Sequence, residues 1–110
     1  MRTAGDEAEA AYFTLLRARD ELAAVIRYAE WLNRERDRLD RFLADGVELD
    51  ATIDARLRRS VSHGDDPLRE LIQSRRRVVV EELAKVDARE LAAQQFAEEC
   101  EADLARVRAS

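Results

Sequence analysis

The chain is short of the residues on which most protein chemistry depends. Among 110 residues it has one histidine, one cysteine, one proline, one tryptophan and three glycines. A lone Cys100 excludes an intrachain disulfide and makes the cytoplasm the expected compartment. A lone His63 cannot supply the paired histidines of helical di-metal sites, and no Glu-x-x-His element is present. So few glycines and prolines leave no room for the repeated tight turns of an all-β fold. No apolar run approaches the roughly 18 residues of a membrane span, and Met1–Asp6 lacks the apolar stretch of a secretory signal. A net charge of −5 speaks against a nucleic-acid binder, which usually carries a basic surplus.

What the chain does hold is helix-forming. Charged residues make up 39% of it, and alanine, leucine, glutamate and arginine are abundant; these lose little side-chain freedom in a helix. Lys85 is the only lysine among 19 basic residues, an arginine bias that GC-rich codon usage produces and that points to a bacterial source. Over the first forty-odd residues Ala8, Ala11, Leu15, Ala18, Leu22, Val25, Ala29, Leu32, Leu39 and Leu43 recur three and four apart, with Arg36 interrupting. That spacing keeps one stripe of a helix against a partner helix, as in a coiled coil. A second stripe runs through Leu68, Ile72, Val79, Leu83, Val86, Ala93, Ala97, Cys100, Leu104 and Val107, with Arg76 and Glu90 as polar members. The β-branched run Val78-Val79-Val80 falls inside this helical pattern.

Start and stop signals divide the chain into helices over about 6–45, 48–62 and 67–108. Asp6 is the expected cap of the first, and Gly46 its stop. At 1.5 Å per residue that first rod is roughly 55–60 Å long. The short middle helix carries Leu49, Ile53, Leu57 and Val61 and stops at Gly64. Asp66 and Pro67 then open the last helix, where a missing N–H costs nothing. The expected fold is a single all-α domain over 1–110: two long antiparallel helices, a coiled-coil hairpin, with the middle helix at its closed end.

Apolar residues also lie off the stripes. Phe13, Leu16, Ala24, Tyr28, Trp31 and Phe42 flank the first, and Val78, Val80, Leu91 and Phe96 the last. A two-helix stem cannot cover them all, so the chain is expected to dimerise into a four-helix stem, with Phe13, Leu16, Tyr28, Trp31, Phe42 and Phe96 as interface candidates.

No constellation for catalysis stands out. His63, beside Gly64, suits a helix C-terminus, where it can bond terminal carbonyls. Cys100 sits on the apolar stripe, and Glu98, Glu99 and Glu101 oppose the thiolate that a nucleophile needs. There is no Gly-rich phosphate loop, EF-hand loop or serine elbow, so no enzyme, metal or cofactor is expected.

Charge is uneven. From Glu81 to Asp103 eight acids face only Lys85 and Arg89, whereas arginines cluster around residues 34–41, 56–59 and 69–77. Arg75, Arg76 and Arg77 have no acid immediately beside them and are candidates to contact an anion or an acidic partner surface. Glu70, Ser74 and Arg77 resemble, in spacing, the start of the cyclic-di-GMP-binding motif of an actinobacterial anti-sigma factor that is also an antiparallel coiled coil. The two positions that follow in that motif are Gln and Asp, and here they are Glu81 and Lys85. The resemblance implies a nucleotide- or phosphate-responsive regulator. The first expectation is plainer: a non-enzymatic, cytoplasmic protein–protein interaction or adaptor module.

Overall fold

Thr3, rather than Asp6, opens the first helix. In the computed structural model, which describes residues 3–45 and 67–110, helix α1 spans Ala4–Asp45. The Thr3 hydroxyl accepts from the Asp6 backbone N–H, and the Asp6 carboxylate accepts from the Thr3 N–H, each at 3.2 Å. Two N–H groups that the helix itself leaves unpaired are thereby satisfied by a reciprocal box, a contribution of about 1 kcal/mol. Asp6 was the expected cap; it serves instead three residues into the motif, because Thr3 stands at the spacing that lets both side chains reach back. Helix α2 spans Pro67–Ala109, so proline occupies the first helical position as its fixed φ favours. No strand occurs among the described residues. The middle helix expected over 48–62, together with Gly46, His63, Gly64 and Asp66, lies outside the described residues.

Every buried hydrophobic residue among those described falls on one of the two stripes read from the sequence. On α1 these are Leu15, Ala18, Ala29, Leu32 and Leu39; on α2 they are Val79, Leu83, Val86, Ala97, Cys100 and Leu104. The remaining stripe members, Arg36, Arg76 and Glu90 included, are half-buried.

The chain divides into two compact units, Met1–Ala29 with Lys85–Ser110, and Glu30–Ala84. In the first, Leu15 and Ala18 of α1 form one core with Ala97, Cys100 and Leu104 of α2, and Ala11 and Leu22 pack against it. An ion pair between Arg19 and Glu101, 3.1 Å, joins the two helices at their exposed edge. The α1 residues run opposite in number to their α2 neighbours, so the packing is antiparallel.

The second unit is also antiparallel but is held differently. Arg76, on the α2 stripe, pairs through Nε with Asp40 of α1. Arg69 donates from Nη1 to the Leu43 carbonyl at 3.3 Å. Leu43 lies in the last turn of α1, where carbonyls lack helical partners and where α1 has no basic residue of its own. The neighbouring helix therefore supplies the cation that the end of α1 lacks.

Both partners of the Arg76–Asp40 pair are more than a third exposed, so water screens it and its worth is below about 1 kcal/mol. Arg76→Leu should therefore raise stability, by about 1 kcal/mol, since it places an apolar side chain on the stripe. A urea titration that showed the variant less stable than the parent would mean that the pair contributes more than its exposure allows.

Candidate interaction surface

Three arginines next to one another on a helix diverge by about 100° each, and the structure shows the consequence. Arg76 turns toward α1 and is occupied by Asp40. Arg75 and Arg77 are exposed, and Arg77 donates from Nη2 to the Ser74 hydroxyl at 3.0 Å. The trio does not converge on one point. Three other pairs each form locally along one helix, Arg36 with Asp37, Arg38 with Glu35 at 2.9 Å, and Arg106 with Asp103. They make a solvated, salt-laced surface.

The apolar candidates divide by place. In the first unit Tyr28 and Phe96 line a common groove of about 640 Å³ between α1 and α2. Its floor is small and apolar: Ala24 and Val25 from α1, Ala92 and Ala93 from α2. Glu21 and Arg89 stand at its rim. Local spacing explains the grouping. At 100° per residue, Glu21, Ala24 and Tyr28 lie within about 60° of one another on α1, as do Arg89, Ala92 and Phe96 on α2. Phe13 and Leu16 do not line the groove. Phe13 is exposed and stacks edge-on with Tyr12, ring centroids 5.9 Å apart, while Leu16 is half-buried. In the second unit Trp31 is exposed and Phe42 half-buried on α1, and Leu71 and Val78 are exposed on α2.

Of the groove's alanines, the sequence marks Ala24 as a flanking apolar residue and Ala93 as a stripe member, whereas Ala92 stays unmarked, because alanine is common in any helix. The usable signal was their placement: Ala24 and Ala92 each precede an off-stripe aromatic by four residues.

Cys100 is buried in the first unit's core and forms no disulfide. Among the described residues no three metal-binding side chains gather, and no helix is long and apolar enough to cross a membrane. No protein family model, curated protein or solved structure matches the chain.

Proposed function

We propose that this chain is a non-enzymatic protein–protein interaction module of coiled-coil type that works as a homodimer. The observation that carries this reading is the groove of the first unit. It exposes two aromatic rings over an alanine floor, and Tyr28 and Phe96 keep 37% and 47% of their surface in water. Aromatic anchors over a small-residue floor are the parts from which tight helical interfaces are built, large rings filling the space that small residues leave. The three-and-four spacing of the buried stripes supports the coiled-coil element. Sedimentation equilibrium of the full chain tests it: the expected result is twice the chain mass of 12.6 kDa at micromolar concentration. A monomer at high micromolar concentration would sink the proposal.

A phosphate-responsive regulator is the second reading. It is supported by the Ser74–Arg77 contact on the exposed side of α2, which holds two of the three matching motif residues side by side. Calorimetric titration with a panel of nucleotides and cyclic dinucleotides decides it. Binding tighter than about millimolar, lost in Arg77→Ala, would favour this reading over the first. The divergence of Arg75 from Arg77 and the occupation of Arg76 place it second.

A further inference from the structure

We propose that the groove of the first unit is filled by the same groove of a second copy turned end for end, so that α1 of one copy lies antiparallel on α1 of the other. The proposal rests on the homodimer reading and adds to it a surface, an orientation and the residues that choose between orientations. The groove has unlike ends. Because α1 and α2 are antiparallel, Glu21 and Phe96 come to one end, and Tyr28 and Arg89 to the other. A twofold axis lying in the plane of the interface can relate two copies in two ways.

With the axis along the helices, like ends meet. Arg89 then faces Tyr28 of the second copy, but Glu21 is pressed against the ring of Phe96 of the second copy. A carboxylate there loses water and meets a negative ring face, twice per dimer. With the axis across the helices, opposite ends meet. Arg89 lies over the ring of Phe96 of the second copy, a cation on a π face. Glu21 lies beside the hydroxyl end of Tyr28 of the second copy, where a carboxylate can accept a charge-assisted hydrogen bond. Both contacts occur twice, and neither sets like charges together. Glu21 and Arg89 are exposed and form no ion pair among the described residues, so neither has to give up a partner to enter the interface. The alanine floors allow the backbones to approach to about 8 Å between helix axes, the near limit for packed helices.

The end-for-end axis passes midway between residues 21 and 28 on α1, and midway between 89 and 96 on α2. Ala24 therefore faces Ala24 of the second copy, and Ala92 faces Ala92. With like ends together, Ala24 would face Ala92 instead. Facing Cα atoms at this spacing are within the roughly 7 Å that a disulfide can span. The full chain carrying Cys100→Ala, with Ala24→Cys or Ala92→Cys added, is oxidised under mild conditions and run on a non-reducing gel beside sedimentation equilibrium of the reduced samples.

Expected are reduced dimers in solution, with most of each single variant converting to covalent dimer by itself. Two results overturn the proposal while leaving the homodimer intact. Either covalent dimer forms only when the two variants are mixed, or reduced dimers persist and nothing cross-links. Reduced samples that sediment as monomers at high micromolar concentration remove the homodimer reading and this one together. If Cys100→Ala loses helical content by circular dichroism, the same variants are run with Cys100 retained and the linked peptides identified by mass.

Discussion

Val79→Asp should cost more than about 4 kcal/mol and abolish most of the cooperative unfolding transition, whereas Val80→Asp should cost about 1 kcal/mol or less. The three adjacent valines are chemically identical and nearly indistinguishable in a propensity argument, since each is β-branched within a helix. Their surroundings differ sharply: Val79 is 1% exposed, Val80 40% and Val78 55%. A carboxylate at Val79 must lose its water, and the stripe cation one turn away, Arg76, is already held by Asp40, so the chain either takes up a proton there or unfolds. At Val80 the same carboxylate stays hydrated. Urea unfolding followed by circular dichroism at 222 nm separates the two variants. Equal destabilisation would mean that the stripe on α2 is not the packing seam.

Phe96→Asp should weaken self-association at least thirtyfold, about 2 kcal/mol, and Phe13→Asp should leave it within about threefold. Both rings are about half exposed, so exposure alone does not distinguish them. Place does: Phe96 lines the groove with Ala24 and Ala92, and Phe13 stacks on Tyr12 outside it. Concentration-dependent sedimentation of the two variants gives the comparison directly. Helical content should remain near that of the parent in both, because neither ring belongs to the buried core. Matching losses of affinity would show that association does not run through the groove.

The packing seam was legible in the sequence because it is a period, and a period survives ignorance of the partner. Each buried residue from Leu15 to Leu104 falls where three-and-four spacing put it. Helix ends were legible where the signal was a single residue with one use, as with Pro67. The cap lies three residues before the expected Asp6, since either Thr3 or Asp6 is a good cap alone and only their spacing shows that they act as a pair. The sides of the helices were much less legible. Phe13, Leu16, Tyr28 and Phe96 are equally off-stripe apolar residues, and which of them share a groove depends on how far one helix is shifted along the other. The stripe does not encode that shift, because it repeats. The arginine run was similarly ambiguous: adjacency in sequence suggested one cluster, while helical geometry sends Arg76 to Asp40 and leaves Arg75 and Arg77 in water.

That repetition leaves a liability which the polar contacts of the second unit offset. A seam with a seven-residue period offers mostly apolar neighbours again after a slide of seven residues, and each slipped arrangement is a competing trap. In the second unit such a slide separates Arg76 from Asp40 and carries Arg69 some 10 Å from the Leu43 carbonyl, at 1.5 Å per residue. Neither contact adds much to the depth of the native state. Together they make it singular, serving as a vernier that marks one alignment among several nearly equal ones.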